Sequence, residues 1–113
     1  MYNAITNEFE RLLREKQLLI NKISLLKKGS VSKKNIKGKE QFYHQYRDNG
    51  KVVTKYISKS FVDAYIKETE ERKRCEAALS DIELQLMKIK KASKVLSSEF
   101  YEKLAVIENK YFN

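Results

Sequence analysis

The chain has 113 residues, a net charge of +9, no proline and only three glycines. This length supports one hydrophobic core, and we therefore expect a single domain over residues 1–113. One cysteine and one histidine exclude an intramolecular disulfide and a metal site built from thiolates or imidazoles.

Neither a membrane span nor a signal peptide is predicted. No apolar run approaches the roughly 20 residues that cross a bilayer. The N-terminal sequence MYNAITNEFE lacks the basic start and the apolar stretch of a signal peptide. We therefore expect a cytoplasmic protein without membrane contact.

The positive charge is concentrated in one segment. Residues 27–59 carry ten basic and two acidic side chains, which accounts for eight of the nine net charges. The same segment contains all three glycines, so its composition differs from the helix-forming sequences on both sides.

Residues 1–28 are predicted to form helix one. Apolar residues recur at alternating spacings of three and four, which is typical of a coiled-coil seam, and Lys16 is the only break in the pattern. Two lysines followed by Gly29 suit the end of such a helix. The seam consists of Tyr2, Ile5, Phe9, Leu12, Leu19, Ile23 and Leu26.

Residues 29–59 are predicted to form a three-stranded antiparallel β-meander. The pair Asn49 and Gly50 is typical of a two-residue type I′ turn, and an earlier turn is expected near Lys37 and Gly38. The predicted cross-strand pairs are Tyr46 with Val53, His44 with Lys55 and Phe42 with Ile57 on one face, and Arg47 with Val52, Gln45 with Thr54 and Tyr43 with Tyr56 on the other.

Residues 60–92 are predicted to form helix two, antiparallel to helix one because a compact insert joins them. If Leu26 lies opposite Phe61, then Lys16 and Arg72, the basic exceptions in the two seams, fall in one layer. The second seam consists of Phe61, Tyr65, Glu68, Arg72, Cys75, Leu79, Ile82, Leu86 and Ile89.

Residues 97–112 are predicted to form a shorter helix three. It presents an apolar face that could cover Leu13 and Ile20, which flank the first seam, and so complete a three-helix bundle. The alternative is one long helix that continues from helix two and dimerises. The predicted fold is mainly α with a small β insert: an antiparallel coiled-coil helical hairpin with the β-meander at its tip and a third C-terminal helix.

Catalysis is not expected, so we predict a protein that is not an enzyme and needs no cofactor. The serines have no plausible base partner, and the carboxylates are spread along helices with basic neighbours at helical spacing. We expect His44 to have a structural or interfacial role and Cys75 to be a small core residue.

The basic meander is the candidate binding element. Lysine and arginine interleaved with tyrosine, glutamine and threonine supply the donors and stacking surfaces that bind nucleic acid. The competing interpretation is that lysines protect exposed sheet edges against aggregation. The candidate residues are Lys33, Lys34, Lys37, Lys39, Tyr43, Gln45, Arg47, Lys51, Thr54, Lys55 and Tyr56.

The stretch GSVSKKNIKGKEQFYHQYRDNGKVVTKYISK, residues 29–59, resembles small uncharacterised bacterial and mobile-element proteins with a meander between two coiled-coil helices. That likeness extends to about residue 92 and implies architecture. The strands also resemble the arm-type DNA-binding domain of tyrosine recombinases, whose sheet docks into the major groove. This second resemblance implies DNA contacts from Lys34, Tyr43, Gln45, Arg47, Thr54 and Tyr56.

We therefore expect a non-enzymatic nucleic-acid-binding accessory protein that presents the meander on a helical stalk, with DNA favoured over RNA. The alternative is a protein-binding adaptor or inhibitor of phage or mobile-element origin, of the anti-defence or antitoxin type, that contacts an acidic protein surface. A third alternative is a homodimer formed through the apolar flank of helix one.

Overall fold

The computed structural model describes residues 3–112. It confirms the mainly α fold, in which a three-stranded antiparallel sheet lies between the helices of a hairpin and a shorter third helix follows. Tyr2, the first predicted seam residue, lies outside the described residues. In chain order the elements are α1 (Asn3–Leu25), β1 (Ser30–Ile36), β2 (Lys39–Asp48), β3 (Lys51–Ile57), a 3₁₀ turn (Lys59–Phe61), α2 (Val62–Leu96) and α3 (Ser98–Phe112).

The chain folds into two compact units. The sheet unit is Lys22–Cys75, which contains the three strands, the end of α1 and the start of α2. The bundle unit combines the chain up to Asn21 with the chain from Glu76 onward. Each unit therefore receives part of α1 and part of α2.

The bundle unit has one hydrophobic core to which all three helices contribute. Leu13, predicted to flank the first seam, is fully buried, whereas 39% of Ile20 remains exposed. The core confirms the three-helix bundle because residues of α3 are part of it. Its buried members are Phe9, Leu12, Leu13, Ile82, Leu86, Phe100 and Leu104.

The predicted separate third helix is confirmed and the alternative of one continuous helix is wrong, because α2 ends at Leu96 and α3 begins at Ser98. The Ser97 hydroxyl accepts a hydrogen bond from the Phe100 backbone N–H at 3.3 Å, as an N-cap residue does. The Ser93 hydroxyl donates to the Lys90 carbonyl at 2.8 Å inside α2. This serine therefore does not end the helix, and α2 extends beyond the predicted end at residue 92.

The predicted layer for Arg72 is wrong by about one heptad. In the sheet unit the Arg72 guanidinium donates to the carbonyls of Ile23 at 3.0 Å and Leu26 at 2.8 Å, rather than lying in a layer with Lys16. In the bundle unit the Lys16 ammonium lies 4.6 Å from the centre of the Phe112 ring. A heptad seam looks the same after a shift of about seven residues, so periodicity determines the face of a helix and not its layer.

Side chains of α2 cap the end of α1, which lies at Leu25 rather than at the predicted Lys28. Besides the two bonds from Arg72, the Glu68 carboxylate accepts the Lys27 backbone N–H at 2.9 Å. The terminal backbone groups that a helix leaves unpaired are thereby satisfied by the second helix. The helix therefore ends three residues before the predicted end, and the chain enters β1 at Ser30.

Across residues 3–112, none of the helices combines the length and apolar character needed to cross a membrane.

Candidate nucleic-acid interface

Two tight turns connect the three strands. Asn49 and Gly50 have φ angles of 50° and 79°, and Lys37 and Gly38 have φ angles of 53° and 80°. Positive φ at both central residues is the mark of a type I′ turn, whose twist matches that of the flanking strands. The structure therefore confirms the predicted positions of both turns.

The strand register follows from these turns and matches the six predicted pairs. Tyr43 lies opposite Tyr56, and His44 lies opposite Lys55. In the pairing of β1 with β2, Lys34 lies opposite Gln41. Because side chains alternate along a strand and direct partners share a side, this register assigns every residue of the sheet to one of two faces.

The packed face is centred on His44, which is 9% exposed. Its Nε2–H donates to the Lys28 carbonyl at 2.7 Å. Its ring contacts Tyr46 and Tyr65, with centroid distances of 4.7 and 5.4 Å. This confirms the predicted structural role of His44, because the ring ties β2 both to the connection after α1 and to α2.

Gly29 allows the connection after α1 to approach β2 closely. Its φ is +91°, and a Cβ atom there would lie 2.1 Å from the Gln45 carbonyl oxygen. Only glycine combines this backbone conformation with the absence of a side chain. The sheet is therefore held at one end by a backbone contact that no other residue permits.

The opposite side of the sheet, which we call the open face, carries no carboxylate. Both acidic residues of the meander, Glu40 and Asp48, belong to the packed side by register. Three of the residues on the open face are cationic. Its members are Ser30, Ser32, Lys34, Ile36, Lys39, Gln41, Tyr43, Gln45, Arg47, Val52, Thr54 and Tyr56.

Seven of the eleven candidate residues lie together on the open face: Lys34, Lys39, Tyr43, Gln45, Arg47, Thr54 and Tyr56. Lys33, Lys51 and Lys55 are on the packed side, and Lys37 is in the first turn. The Lys33 ammonium also forms an ion pair with Glu40 at 2.9 Å. The sheet thus divides the candidate set into one cluster and four residues outside it.

A pair of tyrosines lies at the centre of the open face. The rings of Tyr43 and Tyr56 are 5.9 Å apart between centroids and inclined by 73°. Tyr43 is engaged by its neighbours, because its hydroxyl donates to Gln41 Oε1 at 2.8 Å and the Lys34 ammonium lies 5.1 Å from its ring centre. Tyr56, by contrast, is 63% exposed.

The candidate residues omit one member of the open face and two residues at the end of α1. Gln41 belongs to the open face, and its position opposite Lys34 follows from a turn at Lys37 and Gly38. Alternation from that turn would have found it. Arg72 and Glu68, which hold the end of α1, carry no local signal for that role.

An ion-pair network joins α1 to α2 within the sheet unit. The Glu71 carboxylate accepts hydrogen bonds from the Lys22 ammonium at 2.8 Å and from the Arg74 guanidinium at 2.7 Å. These bonds, led by that from Lys22, lower the pKa of Glu71 to about 2. Buried Cys75, a core residue as predicted, lies 3.7 Å from the same carboxylate through its sulfur.

In residues 3–112 no group of three or more histidine, cysteine, aspartate or glutamate side chains is arranged to hold a metal ion.

Comparison with curated proteins and with solved structures gave no match. Comparison with protein families matched the model described as "Domain of unknown function (DUF6788)" over residues 9–74. This match includes the whole β-meander, most of α1 and the first part of α2, and it ends before α3. Since it covers more than half of the chain, the protein belongs to the DUF6788 family.

Proposed function

We propose that the protein is a non-enzymatic accessory protein that binds nucleic acid through the open face, with DNA favoured over RNA. The observation that carries this proposal is the composition of that face. Lys34, Lys39 and Arg47 lie with two tyrosines and several amide and hydroxyl groups, and no carboxylate shares the surface. Such a face offers phosphate-binding cations beside stacking and hydrogen-bonding groups.

The charges on the open face are available to a ligand. Among the described residues, none of these three cations has a carboxylate within ion-pair distance. On the packed side, by contrast, Glu40 already compensates Lys33. A phosphate approaching the open face would displace water and counterions without competing with an internal partner.

Protection of sheet edges does not explain why these three cations share one face of the sheet. Lysine on an edge strand discourages pairing with another chain, and Lys34 on β1 fits that explanation. Lys39 and Arg47 belong to β2, but each lies at an end of that strand that pairs with one neighbour only, Lys39 with β1 and Arg47 with β3. Edge protection therefore applies to all three cations, but it does not require them to share one face. Their common position on the open face favours binding to an anion.

The test compares two triple variants that remove equal charge from opposite sides of one sheet. Lys34→Gln, Lys39→Gln and Arg47→Gln remove the cations of the open face, and Lys33→Gln, Lys51→Gln and Lys55→Gln are the matched control. Binding of labelled duplex DNA, single-stranded DNA and RNA is measured by fluorescence anisotropy. The first variant should lose binding, whereas the control should retain most of it.

Salt dependence gives a second measure. If three phosphates are contacted, raising the salt from about 50 to about 200 mM should weaken wild-type binding roughly 20- to 40-fold. Circular dichroism must show unchanged folding in both variants. Retained affinity in the open-face variant, or equal losses in the two variants, would contradict the proposal.

A protein partner is the second candidate function, favoured by the exposed apolar groups of the open face. Ile36, Val52 and Tyr56 are 41, 54 and 63% exposed. An adaptor or inhibitor of phage or mobile-element origin could use this surface against an acidic partner. A nuclease-resistant, stoichiometric protein complex, found together with no binding to any nucleic acid, would support this candidate and exclude the first.

A further inference from the structure

The cross-strand rows of the open face place cations on both sides of an aromatic centre. The central row contains Tyr43 and Tyr56. Lys34 is one row away, at about 7 Å along the strands, and Arg47 is two rows away in the opposite direction, at about 14 Å. The two cations therefore span roughly 20 Å along the strands, with the tyrosines between them.

Tyr56 differs from Tyr43 in what surrounds it. Tyr43 is half-buried, and a hydrogen bond and a lysine ammonium already engage it. Tyr56 is 63% exposed, and its only described ring contact is with Tyr43. Its ring is therefore an exposed aromatic surface on β3, an outer strand of the sheet.

An exposed ring of this kind suits an unpaired base better than a base pair. In a duplex the faces of the bases are stacked on each other, and a protein in the groove meets only their edges. In a single strand a base can stack on an aromatic side chain while basic residues follow the backbone. Exposed Val52, two rows from Tyr56, adds apolar surface to the same face.

We infer that the open face binds single-stranded nucleic acid, with one unpaired base stacked on the Tyr56 ring and phosphates held by Lys34 and Arg47. This inference rests on the proposed function and names its ligand class. Stacking explains why a tyrosine is exposed in the middle of a cationic face. The flanking cations supply affinity that does not depend on base sequence.

The experiment uses the full chain and oligothymidylate of about 15 nucleotides, either alone or annealed to its complement, with anisotropy as the readout. Wild type should bind the single strand at least about tenfold more tightly than the duplex. Tyr56→Val, which removes the ring but keeps a residue that favours strands, should weaken single-strand binding about 5- to 100-fold. Tyr56→Phe should bind like wild type because it retains the ring.

The control is Val52→Thr, an exposed substitution on the same strand and face, which should change affinity less than about twofold. Tyr56→Val should keep the wild-type salt dependence because no charge is removed. Tighter binding to duplex, or wild-type affinity in Tyr56→Val, would overturn this inference and leave the proposed function standing. Failure to bind either form of the oligonucleotide or RNA would overturn both.

Discussion

The bundle unit and the sheet unit are stabilised in different ways. In the bundle unit, large apolar side chains from three helices are buried together, and Phe9, Leu13 and Leu104 have no exposed surface. In the sheet unit, buried His44 and half-buried Arg72 form directed hydrogen bonds to backbone carbonyls. The bundle unit therefore depends on apolar volume, whereas the sheet unit adds directed hydrogen bonds to the smaller buried apolar residues Ile57, Val62 and Cys75.

This difference predicts which substitutions each unit tolerates. Apolar burial is nondirectional, so a helix can exchange one apolar residue for another of similar size at modest cost. A hydrogen bond to a helix end has one correct position, and its loss leaves a polar group unpaired. Substitutions in each unit test this difference through their effect on stability.

The largest effect is expected from a cavity in the bundle unit. Leu13→Ala removes a side chain with no exposed surface and should lower the free energy of unfolding by about 2–5 kcal/mol. Leu18→Ala on the same helix is the matched control, because Leu18 is 68% exposed and should change stability by less than about 0.5 kcal/mol. Urea denaturation measures the free energy of unfolding of both variants. Equal losses would show that Leu13 is not part of the hydrophobic core.

A substitution at Gly29 tests the close approach in the sheet unit. Gly29→Ala should cost about 2–3 kcal/mol, because the residue has positive φ and its new Cβ would collide with the Gln45 carbonyl. Gly38→Ala is the control, since Gly38 has φ +80° but nothing within 4 Å, and about 1 kcal/mol is expected. Amide exchange of β2 should increase in the first variant only. Equal losses of stability in the two variants would show that the chain relieves the collision at residue 29 without a loss of free energy.

Arg72→Met tests the cap on α1. It removes the bonds to the Ile23 and Leu26 carbonyls and should cost about 1.5–3 kcal/mol. Arg74→Met removes an exposed arginine of the same helix and should lower stability less than Arg72→Met does. Thermal denaturation compares the two. A smaller loss from Arg72→Met than from Arg74→Met would mean that the cap does not stabilise the sheet unit.

The smallest effect is a pH dependence at Glu71. Its pKa lies at about 2 in the folded chain, below the ordinary value of 4.5. Folding therefore favours the charged form of Glu71. Its contribution to the free energy of unfolding is complete above pH 4.5 and is lost as the pH falls towards 2. The stability advantage of wild type over Glu71→Gln should shrink over that interval.

Glu70→Gln, an exposed neighbour on α2, is the control for the pH measurement. The stability difference between Glu70→Gln and wild type should change less with pH than the difference between Glu71→Gln and wild type. If the stability difference between wild type and Glu71→Gln stayed constant from pH 5 to pH 2, the hydrogen bonds of Glu71 to Lys22 and Arg74 would not contribute to stability.

Local patterns predicted much of the candidate site. The Asn49–Gly50 turn implied the pairing of Tyr43 with Tyr56, and the structure confirms it. Alternation then separates Lys34 and Arg47 from Lys55, because the side-chain period of a strand is two residues. Whether the charged cluster binds nucleic acid stays a prediction.

Local sequence patterns specify the helical faces, the two turns and the strand register, because each depends on residues close together in the chain. Packing between distant segments fixes the layer in which Arg72 meets α1, the end of α1 at Leu25, and which face of the sheet is packed. A heptad pattern repeats, and an alternating strand has two faces, so local patterns leave several arrangements equivalent. Contacts between distant residues, such as Arg72 with Leu26 and His44 with Tyr65, remove that equivalence.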